Sequence, residues 1–244
     1  MNVLIQGGGR GIGLALARRA LAAGAERLVI TARQPEASPA HAELAADPRI
    51  TFLAMDVTDD AGIRAACAAT RDILPRLDRV ICTSGILREG EIRPEKRIAD
   101  IDAEALVHLY RVNALGPMLL ARELWPLLKG DHALRFSAIS ARVGSISDNR
   151  LGGWYAYRAS KAALNQLMRT LSIELARANP NACVATLHPG TVDTDLSKPF
   201  QGGVPADKLF SADDSAGRMW AVLDGLTPQD SGTLFAYDGS VIPY

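Results

Sequence analysis

Short apolar runs alternate with longer amphipathic stretches along most of this chain. The runs Val3–Gln6, Arg27–Thr31, Ile50–Met55, Val80–Thr83, Ala133–Ile139, Ala182–Leu187 and Thr233–Ala236 have the length and continuous hydrophobicity of strands buried on both faces. Between them, Ile12–Ala23, Asp60–Ile73, Ile101–Leu128, Trp154–Ala178 and Ala212–Leu226 carry apolar residues at helical spacing. This order predicts βαβ units, and so an α/β fold: one doubly wound, Rossmann-type parallel sheet of about seven strands with helices on both faces. No Pro/Gly/Ser-rich linker and no internal repeat interrupts the pattern, so residues 1–244 read as a single domain. The least regular segment, about 190–211, reads as a substrate or lid loop.

Composition narrows the class. The 244 residues hold 27 basic and 27 acidic side chains, are 48% hydrophobic and 22% charged, and have no net charge. Such a balance fits a folded globular protein and argues against nucleic acid or an acidic membrane as partner. Cys67, Cys82 and Cys183 are odd in number and widely spaced, which suggests neither a disulfide framework nor a zinc site. His108, His132 and His188 share no ligand spacing, so no metal is expected. Met1 leads directly into Val3-Leu4-Ile5 without a basic region or cleavage site, and no apolar stretch is long enough to span a bilayer. A cytoplasmic protein is expected.

After the first strand comes Gly7-Gly8-Gly9-Arg10-Gly11-Ile12-Gly13, then a helix. Glycines there let the backbone approach a pyrophosphate, and the helix start offers free N–H groups. The alternative is a flexible turn with no ligand. The second strand ends Ile30-Thr31-Ala32-Arg33, with no carboxylate to accept bonds from a ribose 2′-hydroxyl. Arg33, with Arg10, suits a 2′-phosphate, so NADP(H) is favoured over NAD(H). Further on, Tyr157 and Lys161 stand four apart on one helix face. An ammonium and a helix N-terminus beside a phenol both depress its pKa, and a drop of about three units corresponds to roughly 4 kcal/mol. Such a phenol can serve as a proton donor to a carbonyl oxygen.

With these motifs together the sequence resembles the short-chain dehydrogenase/reductase family from Val3 to the C-terminus. Gly7, Gly11 and Gly13 match the opening motif, with Gln6 in place of its threonine. Asp56-Val57 match the adenine-contacting pair, and Cys82-Thr83-Ser84-Gly85 stand where the family has Asn-Asn-Ala-Gly. Asn113 matches the helix asparagine, Tyr157-Arg158-Ala159-Ser160-Lys161 the active-site signature, and Pro189-Gly190-Thr191-Val192-Asp193-Thr194 the segment beside the nicotinamide. Gly144-Ser145-Ile146, Gly152-Gly153-Trp154-Tyr155 and Tyr237-Asp238-Gly239 are similar to the subgroup holding C-factor signalling proteins and sniffer-type carbonyl reductases.

The resemblance implies hydride transfer between NADP(H) and a small carbonyl or alcohol substrate. Tyr157 would be the acid/base, and Lys161 would lower its pKa and bond the nicotinamide ribose. Asn113 would anchor a relay water, and Ser140 would orient the carbonyl, with Ser145 the second choice because the usual serine falls on Ala141. Gly7, Arg10, Gly11, Ile12, Gly13, Arg33, Asp56, Val57, Ser84, Gly85, Asn113, Tyr157, Lys161, Pro189, Gly190, Val192 and Thr194 are the expected cofactor contacts. A signalling or regulatory protein that keeps the dinucleotide site with little turnover is the other reading. A homodimer or homotetramer is expected through Ile101–Leu128 and Trp154–Ala178, where Leu115, Met118, Leu119, Leu120, Leu164, Leu167, Met168 and Leu171 give apolar character to more than one face.

Overall fold

The computed structural model describes residues 1–203 and 205–244. Strands β1 (Asn2–Gln6), β2 (Arg27–Ala32), β3 (Ile50–Ala54), β4 (Arg79–Cys82), β5 (Leu134–Ile139) and β6 (Ala182–His188) are followed by two short strands, β7 (Thr191–Val192) and β8 (Leu209–Phe210), and then by β9 (Thr233–Ala236). The helices are α1 (Gly11–Ala22), α2 (Pro39–Leu44), α3 (Asp60–Ile73), α4 (Ala103–Tyr110), α5 (Gly116–Leu128), α6 (Tyr155–Ala178) and α7 (Ala212–Gly225). Seven strands form one parallel sheet in the order β3-β2-β1-β4-β5-β6-β9, and β7 pairs with β8 apart from it. The chain winds outward in one direction to β3, then returns past β1 to β4. Between these two strands, in register from Val3–Arg79 to Gln6–Cys82, a crevice opens at their C-terminal ends.

The alternation of side chains along each strand splits the core in two. Leu4, Val29, Val80, Phe136 and Val184 meet α3, α5 and α6, while Val3, Ile5, Ile30, Ile81 and Leu187 meet α1 and α7. The seven long strands lie within a residue or two of the apolar runs that predict them. The Ile101–Leu128 stretch is not one helix. Asp102 caps α4 by accepting the Ala105 N–H at 2.7 Å, and a π-helical turn at Arg111–Leu115 joins α4 to α5. Two further elements have no counterpart in the hydrophobic pattern. In α2, Ser38 accepts the His41 N–H at 3.2 Å just before Pro39; the other is the β7–β8 pair inside segment 190–211.

The apolar side chains that suggest a two-fold interface have partners within the subunit. Leu119, Leu120, Leu164, Met168 and Leu171 are buried in the core, and Leu115, Met118 and Leu167 pack against it. They therefore supply no argument for a second chain. On these helices Val107, Tyr110 and Ile173 remain exposed. Among the described residues no helix is long and apolar enough to cross a membrane. His108 bonds Glu89 and His132 bonds the Leu77 carbonyl, at 2.7 and 2.9 Å.

Candidate active site

The glycine turn is shaped for close backbone approach. The Gly7 and Gly8 N–H groups both donate to the Thr31 carbonyl at 3.0 Å, which folds the chain back over the end of β2. A Cβ on Gly13 would lie 2.4 Å from the Gly7 carbonyl oxygen, so α1 packs on the turn with no room for a side chain. Gly11 has φ +53°, a left-handed conformation suited to glycine. Helix α1 then starts with no acidic residue in its first turn and no side-chain cap from Arg10. Its first N–H groups and partial positive charge face the crevice, as an anion would require.

The departures from the family motif are paired with one another. The Gln6 side chain donates to the Ser84 hydroxyl, and Thr83 Oγ1 donates to the Gln6 and Gly7 carbonyls at 2.9 Å each. These contacts join the ends of β1 and β4 at the floor of the crevice. Asp56, after β3, accepts the Thr58 N–H and hydroxyl through one carboxylate oxygen at 2.8 and 2.7 Å. Val57 is buried where Gly116 lets α5 approach; a Cβ on Gly116 would be 2.8 Å from that of Val57. Arg10 and Arg33 are turned to different carboxylates, Asp195 and Glu89, each at 3.1 Å. Arg88 also donates to the Asp195 carbonyl at 3.2 Å, so the segment after Thr194 is tied to both sides of the crevice.

Asn113 and Lys161 converge across Gly85. A Cβ on Gly85 would lie 3.2 Å from Lys161 Nζ and 3.4 Å from Asn113 Oδ1, so the glycine keeps that space clear. Asn113 sits in the π turn, fully buried, its Oδ1 accepting the Ile86 N–H at 2.7 Å. Its Nδ2 donates to the Ile86 carbonyl at 2.8 Å and to Ser160 Oγ at 3.0 Å. Extra residues of this kind in helices often occur at functional sites. Pro117, four residues on, has no N–H to offer the Asn113 carbonyl.

Lys161 Nζ donates to the Ile139 carbonyl at the end of β5, at 2.9 Å, and lies 5.8 Å from the centroid of the Tyr157 ring. Burial pushes the lysine down to about 8. Tyr157 does not follow the expected direction: burial pushes its phenol up, above the ordinary tyrosine value. Lys161 is drawn toward Ile139, and desolvation of the phenolate outweighs its attraction.

Ser140 also departs from expectation. Its buried hydroxyl donates to Asn165 Oδ1 on α6 at 2.7 Å, and Asn165 donates in turn to the Gly144 carbonyl at 3.3 Å. Ser145 accepts the Asp148 N–H at 3.1 Å. Ala141 packs in the apolar cluster around Tyr157, with Leu87, Leu109, Val143 and Leu196. Neither serine hydroxyl is therefore free of a structural partner, and the side chain beside Tyr157 is a methyl group.

Beyond β6, Ser215 Oγ donates to the Pro189 carbonyl at 2.7 Å. Gly190 has φ +80° and stands against Phe210, where a Cβ would lie 2.7 Å from the ring. Val192 is buried, and the Thr194 methyl lies 3.7 Å from where a Cβ on Gly11 would be. The motif residues from both halves of the chain thus line one crevice.

The family model for short chain dehydrogenase matches residues 1–203. The chain belongs to the short-chain dehydrogenase family. Among relatives of this short-chain dehydrogenase, the C-signal protein of Myxococcus xanthus is 37% identical over 148 residues, covering 60% of this chain and 83% of that protein. The NADPH-bound carbonyl reductase from chicken fatty liver superposes with TM-score 0.87 at 30% identity, over 100% of this chain and 94% of that one. The carbonyl reductase Sniffer of D. melanogaster gives TM-score 0.87 at 25% identity, over 100% and 99%. Sequence spacing alone does not reveal the Gln6–Ser84 pair or the Asn165 contact, because their partners lie far apart in the chain.

Proposed function

We propose that this short-chain dehydrogenase is an NADP(H)-dependent oxidoreductase that interconverts a small carbonyl compound and its alcohol. The observation that carries this reading is the convergence of Lys161 Nζ and Asn113 Oδ1 across Gly85, one helical turn from Tyr157 and beside an uncapped glycine turn. When bound, the dinucleotide would supply or accept the hydride.

The turn residues Gly7, Gly11, Ile12 and Gly13 would hold its pyrophosphate, and Arg33 with Arg10 the 2′-phosphate. Asp56 and Val57 would meet the adenine, and Ser84, Gly85 and Lys161 the nicotinamide ribose. Pro189, Gly190, Val192 and Thr194 would flank the nicotinamide. The bound NADPH of the chicken reductase supports the cofactor assignment. Tyr157 Oη gives its proton to the carbonyl oxygen during reduction and takes one back in the reverse direction. Burial keeps that phenol protonated at neutral pH, as a donor must be. Lys161, with its value near 8, can exchange a proton close to neutrality. With Ser140 bonded to Asn165, we assign carbonyl polarisation to Tyr157 and keep Ser140 as a support for the end of β5.

A second reading, a dinucleotide-binding signalling protein with little turnover, is favoured by Ala141 in the Tyr157 cluster and by the likeness to C-signal. Turnover separates the two. Oxidation of NADPH across a panel of aldehydes, ketones and quinones should identify a substrate, and Tyr157→Phe should lower kcat by about 10²–10⁴-fold with NADPH affinity unchanged. NADPH should bind about tenfold more tightly than NADH, and Arg33→Ala should erase that preference. No turnover with any carbonyl, or a Tyr157→Phe variant of undiminished rate, refutes the enzyme reading.

A further inference from the structure

The helix that carries Tyr157 begins in an unusual way. Gly152, Gly153 and Trp154 have φ of +63°, +66° and +53°, three successive left-handed residues before the first residue of α6. For tryptophan this is an unfavourable conformation, and such strain persists where the surroundings enforce it. The first turn of α6 has no acidic residue and no side-chain cap of its own.

The cap comes from 61 residues upstream. Glu95, only 6% exposed, accepts the Ala156 N–H through both carboxylate oxygens at 3.2 and 3.3 Å. Its backbone carbonyl accepts the Trp154 N–H at 2.6 Å. From the other side, the Arg158 guanidinium donates to the Gly153 and Gly152 carbonyls at 2.9 and 3.1 Å. Ala156 is the immediate neighbour of Tyr157, and the Trp154 ring meets the Tyr157 ring edge-on at 6.3 Å. Glu95 belongs to the same β4–α4 connection as Ile86, which holds both ends of the Asn113 amide.

We propose that Glu95 is a positioning residue for Tyr157: its carboxylate and carbonyl clamp the start of α6 to the β4–α4 connection and hold the phenol in line with Lys161 and Asn113. This rests on the reading of Tyr157 as the proton donor. A buried carboxylate on a helix N-terminus is a strong, charge-assisted acceptor. Removing it leaves the Ala156 N–H without its partner and frees the left-handed turn to relax. The displacement is delivered to the phenol and not to the glycine turn, so it is read in kcat rather than in cofactor binding.

The test uses the full chain and the substrate found in the carbonyl panel. Glu95→Ala should lower kcat by about 10–100-fold, the cost of a misplacement near 1 Å, with KM and NADPH affinity changed by less than about threefold. Glu95→Gln, whose amide oxygen still accepts the Ala156 N–H, should recover most of that rate. Glu95→Asp, one methylene shorter, should not. If the alanine variant does not fold, the glutamine and aspartate variants decide, and equal kcat in the two overturns the clamp. So does an alanine variant with undiminished kcat, or one whose loss lies in NADPH affinity. Tyr157→Phe is measured alongside. An inactive Tyr157→Phe with fully active Glu95 variants removes the clamp alone, whereas an active Tyr157→Phe removes the reading beneath it.

Discussion

Lys161 should destabilise the fold that it serves. Its ammonium is 3% exposed, and burial pushes its value from 10.5 down to about 8. Below pH 8 the lysine is charged in both folded and unfolded chains, and the folded chain bears the whole desolvation cost. A shift of about 2.5 units at ~1.4 kcal/mol each is about 3.4 kcal/mol. The bond to the Ile139 carbonyl, 2.9 Å long, returns about 1 kcal/mol. Lys161→Met keeps the length of the side chain and removes the charge, so at pH 7 it should stabilise the protein by about 2 kcal/mol. For a chain of this size that raises Tm by roughly 4–8 °C.

As pH rises from 8 to 10.5 the unfolded wild-type chain binds more protons at this site than the folded one. Wild-type stability then climbs, and the cost shrinks to about 1.4 kcal/mol at pH 9.5. Urea unfolding of both proteins at pH 7 and 9.5, followed by circular dichroism, measures the difference. A variant less stable than wild type at pH 7, or a gap that does not narrow at pH 9.5, refutes the reasoning. Activity should be lost in the variant at either pH, the pattern expected when stability is given up for a site.

Gly13→Ala should weaken NADPH binding by about 10–100-fold and lower stability by about 1–3 kcal/mol, because its Cβ would press into the Gly7 carbonyl and the turn must move; fluorescence titration and thermal unfolding read the two effects. Ala141→Ser should raise kcat for carbonyl reduction by about threefold or more, by placing a hydroxyl donor in the cluster around Tyr157. A lower or unchanged kcat, with stability retained, would show that no substrate oxygen passes within reach of residue 141.

The sheet is legible from the sequence because its strands are buried on both faces, so apolar runs such as Val3–Gln6 and Ala182–Leu187 mark them almost residue by residue. Helix packing is less so. Leu164 and Met168 look like surplus apolar surface until α6 is seen lying over β5 and β6 with its side chains in the core. The Tyr157–Lys161 spacing identifies the pair but not its electrostatics, since burial decides the direction of both shifts and no four-residue pattern encodes burial. Gln6 and Ser84 read as two separate departures from a motif, yet they bond to each other across adjacent strands. Glu95 carries no local signal at all: its partners are at 154 and 156, and the nearest hint is the glycine pair before Trp154.

The π turn at Arg111–Leu115 has a consequence for how this helix pair tolerates change in length. Each residue of an α-helix advances the chain by about 100° around its axis. The additional residue absorbed in that turn sets the angular phase of α5 against α4. Loss of one residue between 111 and 115 would restore ordinary helical winding and turn everything that follows by that angle. Leu119, Leu120 and Leu124 would then swing off the core that they fill, and Gly116 would leave its seat against Val57. The residue count of this short turn is thus under a constraint that the side chains around it do not share: Arg111 or Leu115 can be exchanged for another residue, but neither can be deleted.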